Sequence, residues 1–522
     1  MTSISRHIPE LSAVILIAAL AVTFGLTQSA QRQQPPEYNE VVAASRIQDA
    51  AARLKEFERI KSAYPSAQMS VTIDAFISAA KIELAPTLDA VLGLQKTEIA
   101  AAKGPRKLSV LFAAGFAILE HPKIKEFDKA RVLAAVAQYG TALEKAAADP
   151  ENFKDVPAEQ QGPMKTYYVA GFGLVLSKAH LNGGDPAKAL ADLEAYQKNG
   201  GPIDAQYLYA LAEAQEAAGR TSEAIEAYLS AAVENYEDSA ARAKALYAKL
   251  KGTSDGFDAA LEAKIKALPY HPEPFAPPAG WKGKAVLAEL FTGSECPPCV
   301  GADLGFDGLI ESIPVQYLTV LEYHLPIPRP DPMMNPATKK RQDVYGVNST
   351  PTVVFDGTEK MIGGGNRGMA ESKFKQYRDQ VLARLSEVPG VVLKLRATLA
   401  GGMVKVDLGI DKPVPRAEVN VALVQGEQAY KGSNGLAVHK LVVRDLAVID
   451  PAVTKTTTFD LAASEKTTDA YLTEFEKTYT RVPNFKWAVR HNTIARRGLK
   501  VTVFVQDKET KKILNSISAD VK

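Results

Sequence analysis

Cysteine is nearly absent from this chain: two residues in 522, Cys296 and Cys299. An exported protein that relies on disulfide staples carries several scattered pairs, so no disulfide framework holds this one together. Histidine is scarce as well, at seven residues placed singly, and no second C-x-x-C accompanies the first. A structural zinc site needs four closely spaced ligands, and the sequence offers no such set; no metal and no cofactor is expected. An excess of one charge is also missing, since 62 Lys and Arg face 60 Asp and Glu for a formal net charge of +2. Without a basic tract or a basic-aromatic stripe, a phosphate backbone finds no continuous partner, which argues against nucleic acid. Calcium-loop spacing and H-E-x-x-H are absent, so metal-dependent chemistry lacks support.

Long apolar runs are limited to one, at residues 11–26, preceded by Arg6 and His7 and followed by small and polar residues. That layout, taken over residues 1–35, is a signal peptide or an N-terminal membrane anchor. Either outcome places the remainder in the periplasm or another extracytoplasmic space, with residues 11–26 as the tether if the segment is retained.

The composition is that of ordinary folded protein, 46% apolar and 23% charged, and the chain is too long for one core. A multidomain α+β chain is expected. Residues 36–268 are rich in alanine, leucine, glutamate and lysine at helical spacing, predicting an all-α domain. Within it "GGDPAKALADLEAY" and "AGRTSEAIEAYLSA" align Gly184 with Gly219 and Ala189 with Ala224. This offset resembles the tetratricopeptide period of about 34 residues, so helical repeats able to dock a partner are expected. Residues 269–281 are proline-rich and predict a stiff linker. Residues 282–388 read as strand, helix, strand, an irregular insert, two strands and a closing helix, a compact α/β domain. From residue 389 to 522 the period becomes two, with a hairpin across Gly401 and Gly402, predicting an antiparallel β-sandwich.

The cysteines sit where strand gives way to helix. A helix starting beside the first cysteine aims free N–H groups and a positive dipole end at its sulfur, which stabilises the thiolate. The two-residue spacing lets the second sulfur resolve a mixed disulfide formed by the first. Pro297 and Pro298 stiffen the loop and donate no hydrogen bond.

"CPPC" at a strand-to-helix junction, with "STPTVVFDG" some fifty residues later, resembles the thioredoxin superfamily in its exported bacterial branch; the likeness covers roughly residues 280–387. It implies Cys296 as the exposed attacking thiolate, Cys299 as the buried resolving thiol, and Thr350 with Pro351 as the opposing wall, with a cis bond between them. It also implies exchange with protein thiols or disulfides, and, since there is no third cysteine, a separate protein as electron donor or acceptor. The tryptophan common before the first cysteine is replaced by Glu295, whose charge works against a very low Cys296 pKa. Glu289 is the nearest candidate for a buried proton acceptor, with an ordinary strand-end charge as the bland reading. His324, at the end of the second strand, is either a proton-transfer aid or a structural histidine.

Three other features compete with exchange chemistry. The cysteines could form a permanent structural clip, although so small a ring constrains the unfolded chain little. "GGGNRG" at residues 363–368 formally matches a nucleotide-binding pattern without the unit around it, and glycines suit a tight turn there. Met333 and Met334 are soft enough for copper but read better as a hydrophobic loop edge. The leading expectation is an exported thiol–disulfide oxidoreductase; the alternative is a periplasmic scaffold whose helical and β regions bind partners around a redox-inert module.

Overall fold

The computed structural model describes residues 35–234, 236–450 and 455–522. The expected signal or anchor segment, with its apolar run at 11–26, lies outside the described residues. Among the described residues no helix is long and apolar enough to cross a membrane. The chain divides into two compact units, residues 1–228 and 229–522.

The first unit is all helical. Helices α1 to α6 are Tyr38–Ser45, Ala50–Ala63, Ser70–Glu83, Leu88–Ala101, Arg106–Leu119 and Lys129–Ala148; α7 to α10 are Ala158–Gly183, Pro186–Lys198, Ala205–Ala217 and Thr221–Ala232. Starts are set by side-chain caps: Asp49, Thr87, Asp128, Asp185 and Asp204 each accept an N–H from the first turn, supplying a partner the helix itself cannot. The four helices α7 to α10 form the two expected pairs. Gly184 and Gly219 adopt φ of +82° and +76° in the turns between paired helices, the left-handed geometry that suits glycine. Ala189 and Ala224 are both fully buried, so small residues stand where helices approach closely. The ring of Phe172 fills the groove over Gly115 and Gly140, where an added Cβ would lie 3.0 Å from it at either glycine.

The second unit contains α11 (Ser239–Lys251), α12 (Phe257–Lys266) and two sheets. The strands are β1 Val286–Thr292, β2 Leu318–His324, β3 Thr352–Phe355, β4 Glu359–Ile362, β5 Leu393–Ala400, β6 Met403–Ile410, β7 Ala417–Ala429, β8 Val438–Ile449, β9 Thr456–Asp460, β10 Leu499–Asp507 and β11 Ile513–Asp520. The helices among them are α13 Val300–Ser312, α14 Pro336–Tyr345, α15 Ala370–Arg384 and α16 Leu461–Thr478. The α+β class expected from sequence holds, but the stretches that read as a separate α/β domain and a β-sandwich share one mixed sheet, ordered β11-β10-β7-β8-β2-β1-β3-β4. The join is the parallel contact of β2 with β8, through Glu322 and Val442. The three strands β5, β6 and β9 form a second sheet, whose Val404 and Val406 close a core against Val419, Val421, Val501 and Val503.

Period two sorts the faces of the large sheet. Val286, Ala288 and Leu290 of β1 join Leu304 and Phe306 of α13 and Phe374 of α15 in one core. Leu287 and Phe291 face the other way, with Ala337 of α14. The proline-rich stretch is anchored at its two ends, while residues 276–280 between them are exposed. The Tyr270 hydroxyl donates to the Leu304 carbonyl at 2.8 Å, and Trp281 Nε1 donates to the Leu385 carbonyl at 2.8 Å.

Candidate functional site

β1 ends at Thr292, and Gly293 to Glu295 lead into Cys296, a 3₁₀ turn over Pro297–Cys299, and then α13. Cys296 and Cys299 are disulfide-bonded with Cα atoms 5.4 Å apart. Cys299 is the N-cap residue of α13, so it lies at the positive end of that helix, where a thiolate would be favoured.

Two remote segments close on the pair. Thr350 Oγ1 lies 3.4 Å from Cys296 Sγ and donates to the Ile327 carbonyl at 2.6 Å, while Sγ also meets the Thr350 carbonyl oxygen at 3.8 Å. The Thr350–Pro351 peptide is cis. On the other side the glycine run clamps the start of α13 with backbone alone: Gly365 N–H donates to the Pro298 carbonyl at 2.7 Å and Gly301 N–H to the Gly365 carbonyl at 2.8 Å. A Cβ on Gly364 would lie 2.1 Å from the Pro298 oxygen and 2.7 Å from Pro351 Cγ. Close backbone approach, rather than a phosphate, explains the glycines.

One expectation is overturned. Cys296, the sulfur expected to be exposed, has 0% exposure, as does Cys299, while Pro297 and Pro298 between them are exposed. The loop between β7 and β8, residues 430–437, lies on the segment leading into the motif. There the Asn434 N–H donates to the Ser294 carbonyl at 3.0 Å, and Tyr430 Oη and the Ser433 N–H donate to the Glu295 carboxylate at 3.0 and 3.3 Å. This loop comes from the C-terminal half, beyond the reach of a reading that treats 389–522 as separate.

Glu289 is not at the cysteines. It sits on the β1 face opposite α13, where Arg341 Nε and Nη2 donate to its two oxygens at 2.9 and 2.8 Å, Tyr345 Oη at 2.6 Å and Tyr323 Oη at 3.0 Å. Burial pushes the Arg341 pKa down, but Glu289, Tyr323 and Tyr345 together outweigh it and the net shift is upward. This is a structural ion pair.

His324 is fully buried at the end of β2, and its Nδ1 is 3.0 Å from Asp331 Oδ2. The same oxygen accepts the Ser294 N–H at 2.6 Å and hydroxyl at 2.9 Å, so the carboxylate ties the loop before Cys296 to β2. Burial raises the Asp331 pKa, yet His324 and the Met333 and Ser294 amides lower it more. His439 stacks edge-on at 4.9 Å from His324, and burial followed by the charge of His324 pulls its pKa down to about 3, so it stays neutral at physiological pH.

Sequence reasoning missed Asp303. It lies four residues after Cys299, on the same face of α13. Thr292 Oγ1 donates to its Oδ1 at 2.6 Å, and Oδ2 has no hydrogen-bond partner. Burial, chiefly, pushes its pKa well up, with Asp307 and Asp331 adding to the shift. Glu322, also buried, is raised in the same way by burial and then by Asp303 and Asp307. Burial lifts Asp307 to about 6 against the pull of Lys440 3.4 Å away. The i, i+4 spacing from Cys299 was the available signal.

Among the described residues no group of three or more His, Cys, Asp or Glu side chains is placed to hold a metal ion. Met333 and Met334 are fully buried. No protein-family profile matches this chain and no curated protein matches it. Among solved structures it is similar to HBP35 of Porphyromonas gingivalis, at 14% identity and a TM-score of 0.30, across 46% of this chain and 76% of that one. A likeness that faint carries no argument about fold or activity.

Proposed function

We propose that the protein is a thiol–disulfide oxidoreductase of thioredoxin-like type that exchanges disulfides with partner proteins through Cys296 and Cys299. The observation that carries this reading is a disulfide-bonded C-x-x-C at a strand-to-helix junction, with Thr350 3.4 Å from the first sulfur. In the reducing direction the Cys296 thiolate attacks a substrate disulfide, and one substrate thiolate leaves. Cys299 then loses its proton and attacks Cys296 Sγ; the mixed disulfide breaks, the second substrate thiolate leaves, and two electrons have passed to the substrate. Asp303, one turn along α13 from Cys299 and made a better proton acceptor by the burial that raises its pKa, receives that of Cys299 when it is ionised. Thr350 and Pro351 form the wall along which the substrate chain lies. The reverse sequence oxidises substrate thiols, and either direction needs a separate protein to restore the starting state.

A second reading is favoured by one observation, the complete burial of Cys296: a scaffold whose helical repeats bind partners around an inert disulfide. Turnover separates the two. An oxidoreductase accelerates insulin reduction by dithiothreitol and loses this with Cys296→Ser; a scaffold leaves the rate at background with or without that substitution. The extracytoplasmic location expected from residues 11–26 suits either reading and is tested by fractionating cells for the full-length chain.

A further inference from the structure

Elements of unequal strength pack around the disulfide motif. A sulfur in a disulfide is displaced by a nucleophile that reaches it directly, and neither sulfur here has exposed surface. Thr350 lies just before β3, an interior strand of the large sheet. The glycine run is bonded backbone to backbone with Pro298 and Gly301.

The third element, residues 431–435 between β7 and β8, packs on Gly293 to Glu295 just before Cys296 and is different. It lies outside both strands, so it can lift without opening a ladder. It is hinged between the Tyr430 N–H to Ala437 carbonyl bond of 3.1 Å and the buried side chain of Leu436. Hydrogen bonds tie it to the segment before Cys296: the Asn434 N–H to the Ser294 carbonyl, Asn434 Nδ2 to the Gly293 carbonyl at 3.4 Å, and the Tyr430 and Ser433 donors on Glu295. The approach is tight enough that a methyl on Gly432 would lie 2.4 Å from the Ser294 carbonyl oxygen and 2.7 Å from Glu295 Oε1.

We propose that residues 431–435 are a strap that closes the Cys296–Cys299 disulfide off from solution and lifts to admit a partner's sulfur, Glu295 being its latch. Glu295 stands where the likeness would place tryptophan, and its carboxylate gives Tyr430 and Ser433 an acceptor that an indole cannot. The strap rests on the exchange reading for its purpose, but its physical content does not. Local opening of a loop that lies outside the strands costs less than opening a ladder, and the rate of attack on the disulfide follows the fraction open.

The test is reduction of the oxidised full-length protein by tris(2-carboxyethyl)phosphine, with the released thiols counted by maleimide labelling. The phosphine attacks one sulfur, the S–S bond breaks, and water converts the phosphonium adduct to phosphine oxide, leaving two thiols; the phosphine supplies both electrons. The same protein in guanidinium gives the unshielded rate. Native protein is expected to react at least about tenfold more slowly, with Gly432→Ala, which wedges the strap away, restoring most of the difference, and Tyr430→Phe, which frees the latch, a few-fold of it. Both variants keep the charge of Glu295, and circular dichroism checks their fold; the milder Tyr430→Phe serves if Gly432→Ala does not fold. A native rate equal to the unshielded one, or folded variants that react no faster than wild type, overturns the strap. Since the phosphine needs no catalysis by the protein, strap-dependent reduction without insulin turnover would sink the exchange reading alone.

Discussion

At the scale of single residues, buried charge separates side chains that hold the fold from those suited to chemistry. Glu289 and Arg341 are both essentially inaccessible and mutually satisfied. Arg341→Ala leaves a carboxylate buried without its partner, and the expected loss is about 3–5 kcal/mol, read from the denaturant midpoint. A loss below ~1 kcal/mol would mean that the pair is solvated. Asp303 behaves oppositely, because its folded pKa lies above the ordinary value of 3.8. The folded protein holds that proton at pH values where the unfolded chain has released it, so stability falls as pH rises from about 4 through the folded pKa. Asp303→Asn removes the titration. Its melting temperature is expected to gain on wild type as pH rises above about 4, whereas parallel curves would show that Asp303 titrates normally. These two carboxylates show what residue type alone conceals: both are acids near the motif in sequence, and only the face each occupies tells them apart.

At the scale of elements, β1, α13, β2 and the Gly401–Gly402 hairpin are legible because apolar period and turn glycines agree. The hairpin glycines take φ of +57° and +81°. α14 reads as irregular insert because "PATKKRQDVY" has almost no apolar stripe. Its punctuation is readable nonetheless: Asn335 caps it with Thr338 in a capping box, Pro336 starts it, and Gly346 ends it at φ +59°. α16 escapes a reading that makes its whole stretch strand, although Asp460 caps it by accepting from Ala462 and Ala463. The glycine clamp belongs to this scale too. Gly364→Ala would put a Cβ 2.1 Å from a backbone oxygen, which must then move, so a loss of about 1–3 kcal/mol is expected, together with slower insulin turnover. A variant with unchanged midpoint and turnover would show that the clamp is slack.

At the scale of the whole molecule, the strand pattern assigns faces but not neighbours. Period two places Val419 and Val421 inward, yet nothing in it says that β8 pairs with β2. The consequence is a domain boundary that composition suggests and the sheet crosses. Residues 282–388 expressed alone would expose the β2 edge, lose the β8 strand and leave Phe291, Leu321 and Tyr323 without Val424, Val443 and Phe504. Such a fragment is expected to be insoluble or to lack a cooperative melt, while 229–522 melts cooperatively. A stable 282–388 fragment would show that the continuous sheet is incidental.

Whether the two sulfurs exchange with other proteins is decided most directly by trapping. Cys299→Ser, expressed full length in its own cell and captured under acid quench with thiol blocking, is expected to carry proteins linked through Cys296 that are released by dithiothreitol and absent from the Cys296→Ser, Cys299→Ser double variant. Recovery of the same partners from both variants, with none released by reductant, would contradict exchange.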